Sequence, residues 1–589
     1  MNKLKKAEAL TEDWNLRTAG IEYNNSLVPP FYETNNSNER MISGDQWHGV
    51  QANGLPTPVF NQFKRIGSHF IASVMAQKIA AQVTGINVSE NGEDASEVLA
   101  REVTGFATDA EAIVWERNKI DSLLRQALVD GFITGDACAY SYFDMSKNRK
   151  MERKGDITVE LVDGTNVIFG NPNDNRVESQ PYIIIPFRKL VEDVRREAKA
   201  NKATEETIAL IGADGDTENQ MGDRSKIEST GSDKCTVLLK FWKEWDKDGE
   251  CHVYWRKSTR NVVFIDKTDT KLRRYPVNWM NWDGRKNSYH GQAPCTGLKP
   301  NQIFINKMFA FVMVSLMNTA FPRLVYDKSV IQNPSNAIGQ SYGVNGDVSR
   351  AMKFLDGAQQ SGNVMSVIDT TIKYTKDMLG ASDAFMGDIR PENKSAIIAV
   401  TKNAAIPLEN VKANLYQFVE DMVLVHLDMM RANYGERKIV RTVMGQSVRK
   451  TFDFSALDSV DLAVRIDVGA SSYWSEVGTV QTLDTMLTQK LITPIQYLER
   501  LPDTIFPNKQ GLLEELKASD KTKQVLYMFM ADFVKSLPPE VQQSIRNLPK
   551  EEMEGKVIEM ILQQRQSQPQ QMQMPTPNAG ASAPQPNAQ

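Results

Sequence analysis

Apolar residues recur at helical spacing through Ile398, Leu408, Val411, Leu415, Phe418, Met422, Val425 and Met429 to about Tyr434, which predicts one very long helix. A run of roughly forty residues rising about 1.5 Å each spans about 60 Å. Ser395 stands where its hydroxyl can cap that helix, and Pro407 falls inside it. A proline there removes one backbone donor and crowds the preceding turn, so a kink is expected at Pro407. Ahead of the helix, residues 384–394 are polar and punctuated by Gly387, Pro391 and Asn393, which reads as a turn-prone loop between two helical patterns.

Helical spacing also appears at Phe63, Ile66, Phe70, Val74 and Ile79, and again through Val114, Ile120, Leu124, Leu128 and Phe132, predicting a packed helical layer. From about Ala139 the period shifts toward strand, with residues 157–162, 167–169 and 182–185 separated by Gly, Asn and Pro turns. Charged residues 189–206 read as an exposed helix and 212–232 as a flexible loop. Residues 237–245, the turn Asp246-Lys-Asp-Gly249, and residues 252–255 and 262–265 predict a β meander, because the strand faces alternate and Asp-Gly suits a tight turn.

Residues 300–321 and 366–383 read as two further helices. Between them, 322–365 contains the turn-rich Asn333-Pro334-Ser335-Asn336 and a short helix expected over 347–355. After Gly435 come β-like stretches at 438–444 and 460–468, then helices to about residue 566. Residues 1–40 are polar, with Pro29-Pro30 and Asn35-Asn36-Ser37-Asn38 reading as loop, an arm expected to order against a neighbouring subunit. Residues 566–589 are rich in Gln, Pro, Asn and Ala, carry no charged side chain, and are expected to be disordered. The fold class implied is α+β, mainly α, with a β-rich insert.

Composition narrows this little. A chain of 589 residues with 41% hydrophobic side chains exceeds one ordinary core, so several domains or one large extended domain are expected. A net charge of -4 argues against nonspecific coating of nucleic acid, which draws on a basic surplus to release counterions, and otherwise suits most soluble proteins. Cys138, Cys235, Cys251 and Cys295 lack paired spacing and read as buried free thiols of a reducing compartment. The first residues, Met1-Asn-Lys-Leu-Lys-Lys-Ala-Glu, lack the apolar core of a signal peptide, so secretion is not expected. Residues 308–321 are apolar and uncharged but fall short of the about twenty needed to cross a bilayer, and a buried helix in an oligomer is the better account.

Catalytic patterns are missing. No Gly-x-x-x-x-Gly-Lys-Ser/Thr loop is present to cradle a nucleoside triphosphate, as a P-loop ATPase would need. Asp214, Asp216 and Glu218 alternate like calcium ligands, but Asn219 and Ser225 stand where that loop needs Gly and Glu, so a solvated loop is expected. His290 with Cys295, or Cys251 with His252, lacks a second ligand pair for zinc. His48, His69 and His426 read as structural. Trp242, Trp245, Trp255, Trp279 and Trp282 lie near basic residues, as base-stacking platforms do, but strand alternation already explains three of them as sheet packing. No cofactor and no metal are expected, and no enzyme.

Gly44-Asp-Gln-Trp47 followed by Pro58 and a helix from near Asn61, Tyr275-Pro-Val-Asn-Trp279, Tyr289-His-Gly291, and Leu298-Lys-Pro-Asn-Gln-Ile-Phe-Ile-Asn306 carry a resemblance. With the loop and long Pro-containing helix above, their order over residues 40–435 resembles the portal proteins of tailed bacteriophages. The resemblance implies a portal fold: an N-terminal arm (1–40), a wing (41–299), a stem helix (300–321), a clip (322–365), a second stem helix (366–383), a tunnel loop (384–394), a long kinked helix and further wing (395–470), a helical crown (471–565) and the tail (566–589).

It further implies a homo-oligomeric ring, dodecameric in the family, at one capsid vertex of the virion, assembled in the host cytoplasm. Double-stranded genomic DNA would pass through it without sequence specificity during packaging and ejection. Expected partners are the major capsid protein, the terminase large subunit, a tail adaptor and a scaffolding protein, with no membrane. Asp388, Arg390, Glu392 and Lys394 of the tunnel loop would face DNA; Arg323, Lys328, Arg350 and Lys353 of the clip would meet motor or adaptor. A different ring-forming connector or adaptor is the alternative, though such chains are usually shorter, and an enzyme with an unrecognised site is the rival from another class.

Overall fold

The computed structural model describes residues 3–76, 79–85, 95–147, 155–214, 234–320, 323–331, 347–355, 363–378, 406–443 and 446–468, with scattered residues between 483 and 500. The chain divides into two units, Met1–Ser471 and Ser472–Gln589. In the second unit a reciprocal cap starts a helical turn: Thr493 N donates to Gln496 Oε1 at 3.1 Å and Gln496 N to Thr493 Oγ1 at 3.3 Å. Almost all of the helices expected over 471–565, and the whole tail, lie outside the described residues.

The first unit is a mixed α and β protein. Its arm is not the expected loop but two helices, α1 (Lys3–Ser26) and α2 (Phe31–Ser43), parted near Pro29-Pro30. A search for apolar periodicity misses them because much of what they bury is polar: Asp13, Arg17, Asn24, Asn35 and Asn38. Asn38 Nδ2 donates to the Ile133 carbonyl at 2.9 Å and to Thr296 Oγ1 at 3.0 Å, so the arm docks on its own chain.

The helical layer follows. Helix α3 (Gln62–Val74) is capped by Asn61, whose side chain accepts from Lys64 N. Ile79, expected to extend that helix, instead opens β1 (Ile79–Gly85). Helices α4 (Ala95–Asn118) and α5 (Ile120–Thr134) are separated by Lys119 in the left-handed region at φ 54°. Helix α5 stops at Gly135, φ 92°, where a Cβ would meet the Gly291 carbonyl oxygen at 2.8 Å.

Strands β2 (Asp136–Asp144) and β3 (Asp156–Val162) form a hairpin. Then β4 (Ile168–Phe169) and β5 (Tyr182–Leu190), helices α6 (Val191–Ala200) and α7 (Glu205–Ala209), and β6 (Lys234–Trp245), β7 (Cys251–Ser258) and β8 (Val263–Asp269) build an antiparallel five-stranded sheet in that order, the meander expected from alternation. Helix α6 is half covered, burying Val191, Val194 and Ala198 against Val237, Phe264 and Ile265. Asp214 is not part of a solvated loop: it pairs with Arg188 and accepts from Thr236 N at 2.8 Å, while Asp216 and Glu218 lie outside the described residues. The chain returns as β9 (Val277–Asn281), giving a three-stranded sheet ordered β3-β2-β9.

Helix α8 (Pro294–Ala320) begins six residues before the expected start, with Pro294 in its first turn and Pro300 inside. Strand β10 (Arg323–Tyr326) follows, and after an undescribed stretch a four-residue helix α9 (Val348–Ala351), β11 (Met352–Leu355) and α10 (Asn363–Met378). The helix expected over 347–355 is therefore only one turn, capped by Asp347, before the chain goes extended to pair with β10, Tyr326 opposite Met352 and Arg323 opposite Leu355. Pairing with a distant strand overrides a local sequence that could form either.

Pro407 lies in a 3-10 turn, Ile406–Leu408, directly ahead of α11 (Glu409–Asn433). A kink needs helix on both sides, and residues 379–405 lie outside the described residues. Helix α11 is the centre of the unit. It buries Val411, Leu415, Phe418, Val419, Met422, Val423, Val425, Leu427, Met429 and Met430, more than one stripe. Each such side chain contributes about 1.5–3 kcal/mol on leaving water. The hairpin β12 (Glu436–Val443) and β13 (Gln446–Asp453) follows, and β14 (Leu462–Val468) pairs with β1 from Ile79↔Val468 to Gly85↔Leu462.

Candidate functional site

The short sequence motifs, far apart along the chain, meet in two hydrogen-bonded nodes. In the first, Gln302 and Asn306 of α8 hold the segment ahead of α3. Gln302 Nε2 donates to the Phe60 carbonyl at 2.7 Å, Gln62 N donates to Gln302 Oε1 at 3.1 Å, and Asn306 Nδ2 donates to Gln46 Oε1 at 2.6 Å. Trp47 Nε1 closes the same loop by donating to the Pro58 carbonyl at 2.9 Å.

The second node is fully buried. Asp136 Oδ2 lies 2.6 Å from His290 Nδ1, while Asp136 Oδ1 accepts from Gly291 N at 2.6 Å and from Asn281 Nδ2 at 2.8 Å. His290 Nε2 lies 3.0 Å from Asn24 Oδ1, and Trp279 Nε1 donates to the Tyr289 carbonyl at 3.0 Å. Phe31 stacks on the imidazole at 3.7 Å between centroids. His290 is thus a tie between α1, β2 and the turn before α8, not a metal ligand.

A third cluster has the layout of a hydrolase triad and no sequence signal. Ser141 Oγ lies 3.2 Å from His426 Nε2, and His426 Nδ1 lies 2.9 Å from Glu111 Oε1. All three are buried at 0–1% exposure, so no substrate carbonyl can reach the hydroxyl. The thiols are equally unsuited to attack: burial pushes Cys138, Cys235, Cys251 and Cys295 upward, away from the thiolate. Among the described residues no three of His, Cys, Asp and Glu converge as a ligand set, and no helix is long and apolar enough to cross a membrane. The basic residues beside the tryptophans are engaged, with Arg256 over Trp242 at 5.3 Å and Lys257 over Trp255 at 5.1 Å.

The surface that stands out is α8 with α10. Up to Asn306 helix α8 is anchored, burying Leu298, Gln302, Ile305 and Asn306; beyond it, none of its described side chains is buried. Phe311 is 65% exposed, Leu316 59% and Met317 54%, with Phe304 and Met313 also exposed. Helix α10 packs beside α8, burying Ile368 and Thr375, and leaves Met365, Val367 and Tyr374 exposed. Exposed apolar side chains spread around a helix that the rest of the chain leaves uncovered offer surface to an interaction.

The β10–β11 ribbon between these helices carries the clip cations. Arg323 and Lys353 stand on its two strands, Lys328 is exposed in the turn after β10, and Arg350 of α9 is exposed with Nε 3.9 Å from Asp347. Asp388, Arg390, Glu392 and Lys394 lie outside the described residues.

One carboxyl is strongly perturbed. Asp130 of α5 is pushed up to about 7, chiefly by burial and then by the negative charges of Asp163 and Glu39. Between the unfolded value near 4 and about 7 the folded chain holds a proton that the unfolded chain has lost, so Asp130 costs stability as pH rises through that window. Asp130→Asn is expected to match the wild type at pH 4 and to exceed it by about 1–3 kcal/mol at pH 8, the full shift discounted for partial exposure. Calorimetric melting points at the two pH values check this; equal gains at both would show that ionisation is not the cause.

No protein-family model matches the chain, and no curated protein matches it.

Proposed function

We propose that this chain is the portal protein of a tailed bacteriophage, a structural and non-catalytic subunit whose copies form a ring at one capsid vertex. The observation that carries the reading is the exposed apolar length of α8 with α10 beside it. In a closed ring the same face repeats around the symmetry axis, so one modest helix pair becomes a continuous wall, its apolar side chains covered by the neighbouring copies and a polar stripe left to the lumen.

The helix, β ribbon and helix succession of α8, β10–β11 and α10 fits stem, clip and stem, with the ribbon cations Arg323, Lys328, Arg350 and Lys353 offered to the terminase motor or tail adaptor. The bulk of the first unit, with its helical layer and five-stranded sheet, is then the wing. Asp388, Arg390, Glu392 and Lys394 follow the second stem helix and meet the DNA backbone with mixed signs, which limits tight binding to the moving duplex.

Negative-stain imaging of the purified protein, with its mass measured in solution and with capsid and scaffolding components added, tests the reading. Rings with a channel wide enough for duplex DNA are the expected result. A monomer that stays monomeric with those components present overturns it.

A further inference from the structure

We infer that the open edge of β9 is a docking site for an extended peptide segment of a partner protein, which adds a fourth strand to the β3-β2-β9 sheet. Among the described residues strand β9 pairs with β2 alone, leaving its other edge open. The bonds from Ser141 N to the Pro276 carbonyl and from Trp282 N to the Gly135 carbonyl fix the phase of that pairing, with Tyr140 opposite Val277 and Cys138 opposite Trp279. In this antiparallel register Val277, Trp279 and Asn281 form the non-hydrogen-bonded pairs and turn their N–H and C=O groups away from β2. The Asn281 carbonyl is taken by Asn414 Nδ2 at 3.1 Å. Those of Val277 and Trp279, together with their N–H groups, have no partner among the described residues.

A cleft of about 370 Å³ is lined by this edge, by residues 175–178 and by Asn414, Gln417 and Asp421 of α11. Asn278 also lines it; the residue is 2% exposed and its Oδ1 has no hydrogen-bond partner. Buried backbone and amide groups are nearly always paired, so a cleft holding several unpaired ones is shaped for something that pairs them.

The chemistry favours a peptide. Arg274 and Asp421 face the space with opposite charges, Arg176 is already held by Asp174 at 2.8 Å, and no cation surplus is left for a phosphate or nucleic acid. The outward N–H and C=O groups of the β9 edge complement a backbone that presents C=O and N–H at the same step of about 3.3 Å per residue. Two outward residues offer two donors and two acceptors, enough for a segment of about four residues, roughly 13 Å long.

Hydrogen exchange of the full chain, read at residue level, tests this with the peptide Ac-Thr-Val-Gln-Val-Gln-Thr-NH2 at millimolar concentration and the same peptide N-methylated at all its amides. The Val277 and Trp279 amides are expected to exchange rapidly in the chain alone and at least tenfold more slowly with the plain peptide, and to be unaffected by the methylated one. Val277→Pro removes one outward donor and leaves the β2 pairing intact, because proline is tolerated where the strand N–H faces away from its neighbour. It is expected to weaken peptide binding at least tenfold with an unchanged circular dichroism spectrum, while Val277→Ile binds as the wild type does. Absence of protection by the plain peptide, or equal protection by the methylated one, overturns the proposal. So do amides already protected in the chain alone, which would assign the edge to another segment of this chain or to a second copy.

Discussion

Phe311→Asp combined with Leu316→Asp is expected to leave a folded chain that no longer forms rings. The two side chains are 65% and 59% exposed in the single chain, so replacing them removes little intrachain packing and the melting point should stay within a few degrees. In the ring proposed above the neighbouring copies cover the same positions. Each loses about 1.5–3 kcal/mol of apolar burial, and each new carboxylate adds a desolvation cost of several kcal/mol. A combined loss of at least about 5 kcal/mol per interface weakens association by more than about a thousandfold, and the loss recurs at every interface of a closed ring. Sedimentation and imaging at the concentration where the wild type is fully assembled measure the effect. Rings of unchanged size and stability from the double variant would mean that the exposed apolar side chains of α8 are not what the copies share.

Those side chains also show where sequence reading stops. The period-3.6 pattern of α11 and the period-2 pattern of the five-stranded sheet were legible because one residue in every turn or pair must leave water, and the chain records that demand locally. The arm was not legible, since α1 and α2 dock through Asp13, Asn24, Asn35 and Asn38, residue types that normally mark loops and caps. Nor was β11: Val348-Ser-Arg-Ala-Met-Lys-Phe-Leu355 suits a helix, and only the partner strand at 323–326 makes its second half extended. Strand β13, Gln446–Asp453, is polar at most positions and is held as a strand by β12.

For the candidate site, the apolar run at 308–321 was visible as a run, but whether it is covered within the chain is a question of tertiary packing. The motifs Gly44-Asp-Gln-Trp47, Tyr275-Pro-Val-Asn-Trp279, Tyr289-His-Gly291 and 298–306 were visible as words. Their pairing into the Gln46–Asn306 and Trp279–Tyr289 contacts emerges only when loops about 10 to 260 residues apart close on one another. The Ser141, His426 and Glu111 cluster left no sequence trace, because its members come from a strand and two helices and share no local spacing.

Asp13→Ala is expected to cost about 3–5 kcal/mol and to free the arm from the sheet, the largest effect of any single substitution proposed for the first unit. Lys240 of β6 and Arg256 of β7 stand directly opposite each other in the register, an arrangement of like charges that is destabilising by itself. Both are nearly buried, and both lie near the Trp242 ring, at 5.8 and 5.3 Å. Asp13, 1% exposed, reaches from α1 to both cations: its Oδ2 accepts from Arg256 Nε at 2.8 Å and its Oδ1 lies 3.1 Å from Lys240 Nζ. Without it Glu12 is the one carboxylate left to the two cations among the described residues; its side chain is 60% exposed and water screens its attraction. The same loss removes a buried ion cluster that ties α1 to the sheet, so limited proteolysis within residues 3–26 should accelerate along with the fall in melting point. Replacing all three groups by apolar residues of similar size, Asp13→Leu with Lys240→Met and Arg256→Met, should recover most of the stability, because the penalty lies in the uncompensated charges and not in the lost contact. A triple variant as unstable as Asp13→Ala would instead locate the effect in the packing of α1, and the ion cluster would be incidental.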